Sequence, residues 1–100
     1  MRDETMRALS QSHGFAAVGS DGELGVVETP VFPPSSPRAD FLIVRTQRPG
    51  RRMRRPVIAV ALVESVDARA RVVHFRGTVQ ELEHLPESLP LASLLRPFRG

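Results

Sequence analysis

The sequence contains no cysteine, tryptophan or tyrosine, and it also lacks lysine and asparagine. Without cysteine there are no disulfides, no thiolate zinc site and no thiol chemistry. Without tyrosine and tryptophan, the side chains that most often stack on unpaired bases are missing. No apolar run approaches the roughly 18 residues that a membrane-spanning helix needs, so no membrane span is expected. Met1-Arg2-Asp3-Glu4-Thr5 is charged and has no apolar stretch behind it, so no signal peptide is expected either. A protein of this kind is expected in the cytoplasm.

What is present suits one small domain: 100 residues, of which 41% are hydrophobic. The core rests on twelve Val, ten Leu, two Ile and five Phe. A chain of this length buries only about 60–65% of the surface its unfolded form exposes. The charge balance is +3, and every basic side chain other than histidine is Arg. The sequence pI of 11.2 follows from the missing Lys, Tyr and Cys, which leave almost nothing to titrate between the amino terminus and Arg. Abundant Arg, Ala, Pro and Val with no Lys or Asn is the signature of a GC-rich genome. Charge is unevenly placed. Residues 1–37 carry −3, residues 38–55 carry +6, and residues 56–100 are neutral.

Along the chain, residues 1–13 read as a flexible arm, with at most a helical turn between Thr5 and Leu9. Phe15-Ala16-Ala17-Val18 and Glu23–Val31 flank Gly19-Ser20-Asp21-Gly22, the chemistry of a hairpin turn. Four prolines between Thr29 and Arg38 argue a stiff loop and against a central strand. Phe41-Leu42-Ile43-Val44 is apolar on both faces, which predicts a buried central strand. Gln47–Arg55 is a loop with Pro49-Gly50 at its turn. Pro56–Val66 is the longest apolar run and is expected to bend or to split into two short strands. Asp67-Ala68-Arg69-Ala70 is a turn, and Arg71–Phe75 is a further strand. Thr78-Val79-Gln80-Glu81 is a capping box that opens a short helix from Val79 to His84. These elements predict an all-β domain over residues 14–87, a small antiparallel barrel of about five to six short strands with a short C-terminal helical turn. Phe41, Ile43, Val44, Val60, Val63, Val66 and Val73 are the expected core. Residues 88–100 form a tail in which Leu91, Leu94, Leu95 and Phe98 repeat at helical spacing, a candidate surface for self-association as a homodimer.

The order of these pieces resembles the PRC-barrel family. The resemblance rests on Ser20-Asp21-Gly22-Glu23-Leu24-Gly25-Val26-Val27, then Phe41-Leu42-Ile43-Val44-Arg45, then Val57–Asp67, and last Val79-Gln80-Glu81-Leu82-Glu83-His84-Leu85-Pro86. One departure is that Pro56 precedes the valine that it more often follows in that family. The family includes the cytoplasmic domain of the photosynthetic reaction-centre H subunit, part of a ribosome maturation factor, and small stand-alone bacterial proteins. The resemblance implies a small β-barrel and a role in binding or assembly, with no shared catalytic residues.

Catalytic and metal chemistry find no pattern in the residues themselves. His13, His74 and His84 lack a metal-ligand spacing, none of the eight serines lies in a Gly-x-Ser-x-Gly elbow, and the seven glycines are dispersed. No catalytic residue, cofactor or metal is therefore assigned, and no enzymatic activity is expected. Glu81, Glu83 and Glu87 read as a solvated face of an exposed helical turn. The dense constellation is Arg48, Arg51, Arg52, Arg54 and Arg55, interrupted by Met53. Five guanidiniums so close together are able to clamp phosphates, which makes an RNA- or ribosome-associated factor the alternative function. The same loop also serves as an exposed, self-repelling turn or a protein-facing one, and no aromatic residue within it stacks a base. A non-enzymatic binding or assembly module, with a protein partner or a second copy, is the leading expectation.

Overall fold

A computed structural model describes residues 3–32 and 39–88. The elements are α1 (Asp3–Ser10), β1 (Ala16–Gly19), β2 (Gly22–Val31), β3 (Phe41–Thr46), β4 (Val57–Ala59), a 3-10 turn (Val60–Leu62), β5 (Val63–Asp67), β6 (Val72–Phe75) and α2 (Val79–Glu83). The fold is small and all-β in character, with six strands in one sheet ordered β4-β3-β2-β1-β6-β5.

The hairpin at Asp21-Gly22 forms as its residues dictate. Gly19 pairs with Gly22 across a two-residue loop of Ser20 and Asp21. The long apolar run divides as expected into β4, one 3-10 turn and β5. That division curls the sheet. Three residues, Val60–Leu62, join its two edge strands. A flat six-stranded sheet would hold its edges about 24 Å apart, whereas the connection from Ala59 to Val63 spans at most ~14 Å. All pairings are antiparallel except β1 with β6, where Ala16, Ala17 and Val18 run parallel to Val72, Val73 and His74. The β5–β6 turn is closed by Asp67, whose Oδ1 accepts the amides of Arg69 and Ala70 at 3.1 and 2.9 Å. Arg71 follows at φ 59°, with its guanidinium 5.5 Å from the centre of the Phe15 ring.

The core is Leu9, Leu24, Val27, Leu42, Val44, Ile58 and Val73, all fully buried, with Phe15, Val60, Val63, Phe75, Val79 and Leu82 around them. Val44, Val60, Val63 and Val73 are buried as expected, but Phe41, Ile43 and Val66 are half-buried. In β3 the inward row is Leu42, Val44 and Thr46, so Phe41 and Ile43 stand on the other face. A polar residue ends that row because Thr46 Oγ1 accepts the Arg54 amide at 2.8 Å.

Two further expectations are corrected. Residues 3–10, placed in a flexible arm, form α1, and Leu9 is fully buried. Ser12 closes the helix by donating from Oγ to the Leu9 carbonyl at 2.6 Å. Pro30, where the expected strand Glu23–Val31 and the expected proline loop overlap, lies within β2 opposite Leu42, so the loop begins later than its first proline. It is tolerated because β1 and the residues just before it bond to β2 only as far as Val27, so Pro30 lies past the part of β2 that is paired on both sides. The rest of the proline segment, 33–38, and Leu91, Leu94, Leu95 and Phe98 of the tail lie outside the described residues. Among the described residues no helix is long and apolar enough to cross a membrane.

Candidate functional site

The loop between β3 and β4 is shaped by its own backbone first. Arg51 N donates to the Arg48 carbonyl at 3.1 Å across Pro49 and Gly50, and Gly50 has φ 72°. Proline followed by a glycine in the left-handed region is the pattern of a type II turn. The neck of the loop is closed by Thr46 N to Arg54 O at 2.9 Å and by the reciprocal bond from Arg54 N to Thr46 Oγ1. Beyond it, Val44 N donates to the Pro56 carbonyl at 3.1 Å, so the ladder with β3 continues past the bounds of β4.

Facing the loop is α2. Thr78 and Glu81 form the capping box expected from the sequence: Thr78 Oγ1 accepts the Glu81 amide at 3.2 Å, and Glu81 Oε1 accepts the Thr78 amide at 2.9 Å. These bonds to Thr78 hold the Glu81 carboxyl below its ordinary range. Asp21, from the β1–β2 turn, accepts the Val79 amide at 2.8 Å. The hairpin thus supplies a second cap from 58 residues away. Val79 and Leu82 enter the core, and that orientation carries Glu83 inward under the arginine loop.

Glu83 is therefore not on a solvated face, as its spacing with Glu81 and Glu87 had suggested. Its side chain is 3% exposed. Oε1 accepts from Arg48 Nη1 at 2.8 Å and from Arg51 Nη2 at 2.7 Å. The Glu83 backbone carbonyl accepts from Arg54 Nε at 2.8 Å. The Arg51 hydrogen bond holds the Glu83 carboxyl below its ordinary range; the charges of Arg48, Arg51 and His84 act in the same direction, against burial. Glu87 continues the arrangement, accepting the Arg55 amide at 2.8 Å and lying 3.5 Å from Arg54 Nη2. Arg55 Nε is 3.3 Å from Glu28 Oε1 on β2.

The five arginines expected to be a free cationic cluster are therefore divided. Arg48, Arg51, Arg54 and Arg55 contact carboxylates of their own chain. Arg52 makes no ion pair or hydrogen bond among the described residues, and it is exposed. Beside it, Met53 is 51% exposed, the most open large apolar side chain among the described residues. A pocket of about 190 Å³ lies between Arg51, Arg52, Arg54, Glu83 and His84. Carboxylates meet four of the loop's arginines, while Arg52 and Met53 are exposed.

The histidines do not converge. His84 Nδ1 donates to the Gln80 carbonyl at 2.7 Å, His13 Nδ1 donates to the Glu28 carbonyl, and His74 is exposed on β6. Among the described residues no group of three or more His, Asp or Glu is placed to hold a metal ion. Sequence reasoning missed a second pocket, of about 200 Å³, lined by His13, Gly14, Val26, Val27, Glu28 and Arg45. It forms where β2 bulges between Val27 and Thr29, and no local motif announces it. No protein-family model matches the chain, and no curated protein matches its sequence.

Proposed function

We propose that this chain is a non-enzymatic binding or assembly module, built on a PRC-barrel-like fold, that engages a protein partner or a second copy through the rim formed by Arg48–Arg55. The proposal places it in the cytoplasm. One observation carries the reading. The base of the loop is fixed to Glu83, Glu87 and Glu28, while Arg52 and Met53 are exposed and have no partner among the described residues. A loop held in one shape loses less entropy when it binds. Arg and Met are both enriched at protein interfaces relative to the rest of the surface.

RNA binding is the weaker alternative for the same loop. Four of its five guanidiniums already meet carboxylates, and the chain has no Tyr or Trp to stack a base. The test compares wild type with an Arg52→Ala/Met53→Ser double variant. Affinity capture with quantitative mass spectrometry and light scattering read partner and mass. Loss in the variant of a specific protein partner, or of a wild-type dimer, supports the module. A mobility shift with RNA that weakens steeply between 50 and 200 mM salt supports the alternative (slope about −0.7 per phosphate contacted).

A further inference from the structure

The loop carries five guanidiniums, four of which meet three carboxylates, an excess of two positive charges on one rim of the sheet. Three of those arginines and one of those carboxylates, with His84, bound a single pocket. We propose that this pocket receives a carboxylate side chain of a protein partner, with Met53 packing against an apolar residue beside it. The partner is then a segment in which Asp or Glu alternates with large apolar residues. The inference rests on the binding-module reading and names the partner class for the same site.

The donors are already aimed. Glu83 Oε1 engages Arg51 Nη2, and the Glu83 carbonyl engages Arg54 Nε, so both guanidinium planes are set by a buried residue. Each still has N–H groups beyond those contacts, because a guanidinium carries five donors. Arg54 Nη2 reaches Glu87 only at 3.5 Å, outside strong hydrogen-bond distance. Arg52 has no partner at all among the described residues. An incoming carboxylate thus finds planar donors suited to bidentate contact. The pocket's volume of about 190 Å³ accommodates a group of that size.

Two observations favour a protein carboxylate over a nucleic-acid backbone. Four of the loop's five guanidiniums already meet Glu83, Glu87 or Glu28, so a continuous polyanion laid along the loop finds few of them unpaired, whereas a single carboxylate needs only the pocket. The one open apolar side chain on the loop is Met53, which adapts to varied apolar partners but offers no stacking plane for a base.

The experiment selects a phage-displayed random 12-residue peptide library on the immobilised full chain. Enriched peptides are then measured by fluorescence anisotropy at 0.15 M salt, beside a 20-nucleotide single-stranded RNA. Arg52→Ala, Arg52→Glu and Met53→Ser serve as variants, because these side chains are exposed and bond to none of the described residues. A melting temperature within about 1 °C of wild type verifies that. The expected result is enrichment of Asp or Glu next to Leu, Ile or Phe. Binding should weaken at least about 5-fold in Arg52→Ala or Met53→Ser, and more in Arg52→Glu. Replacing the peptide's acids by amides should weaken it at least as much. Enriched peptides without acidic bias that still depend on Arg52 or Met53 overturn the carboxylate inference and leave the loop reading standing. Peptides indifferent to all three variants, or no enrichment over the bare support, overturn both. RNA binding that Arg52→Glu abolishes and that competes with the peptides overturns the protein-partner assignment.

Discussion

Replacing Glu83 tests whether the arginine loop is held by its own carboxylate. A hydrogen bond to a charged group contributes about 1.5–3 kcal/mol, and Glu83 receives two, from Arg48 and Arg51. The full sum is not expected. Arg48 and Arg51 keep 27% and 47% of their side-chain surface open, so they regain hydration when released. Removing one member of a fully buried pair costs 3–5 kcal/mol, and this half-open case falls below that. We expect Glu83→Leu to lose about 2–3 kcal/mol. Glu83→Gln keeps a neutral acceptor, and such bonds are roughly half as strong, so about 1–1.5 kcal/mol is expected.

For a domain of 60–100 residues each kcal/mol moves the midpoint by about 4–8 °C. Thermal melts should therefore fall by about 4–12 °C for Gln and by about 8–24 °C for Leu. Urea denaturation gives the free energies directly. The loss should persist from 0.1 to 0.5 M NaCl, because the carboxylate end is buried and screening acts weakly there. A double-mutant cycle with Arg51→Ala isolates the pair and should show coupling above about 0.5 kcal/mol. A fall of less than 2 °C in both variants, or a loss that vanishes at high salt, refutes the reasoning: Glu83 would then sit beside the arginines without holding them.

Other outcomes follow from single features. Gly25→Ala should abolish folding or cost more than about 3 kcal/mol by urea denaturation, since an added Cβ collides with the Arg45 carbonyl and lies 2.8 Å from Thr46 Cα, both backbone atoms. Leu9→Ala should cost about 2–5 kcal/mol, because Leu9 is fully buried; no change in melting temperature would mean that α1 does not dock. Thr78→Ala should cost about 1 kcal/mol through loss of the cap, with Asp21→Ala a second cap removal to compare. Glu83 and Glu81 are both held below their ordinary value of 4.5, so the stability they confer is complete above that pH and is lost as pH falls through their lower folded values. The acid limb of a pH–stability curve should therefore be shallower in Glu83→Gln than in wild type.

Much of the fold was legible because its signals are local. The Asp21-Gly22 hairpin, the Thr78–Glu81 capping box and the bend inside Pro56–Val66 each depend on a few neighbouring residues. Less local features were hidden for identifiable reasons. Phe41-Leu42-Ile43-Val44 carries no alternation, so its inward parity is fixed only by the ladders with β2 and β4. The parallel pairing of β1 and β6 joins residues 56 positions apart, Ala16 to Val72, and nothing in either strand encodes direction. α1 is short for a helix judged alone in water. Its order depends on Leu9 finding the core, a tertiary event.

The arginine loop shows most clearly where reading along the chain stops. Counted locally, residues 38–55 hold +6, and that number invites an external polyanion. The counter-charges sit elsewhere: Glu83 and Glu87 lie about thirty residues downstream of the loop, and Glu28 lies on β2. Neither partner looks exceptional alone. Glu83 resembles any acid on a helical turn, and its burial depends on Val79 and Leu82 rotating α2 so that the next position faces the loop. That rotation is fixed by two caps, one from Thr78 and one from Asp21. A turn chosen for the β1–β2 hairpin thereby decides which arginines in a different loop are neutralised. Arg52 and Met53 stand out as candidate contacts only after that subtraction, since in sequence Arg52 is indistinguishable from the four arginines around it.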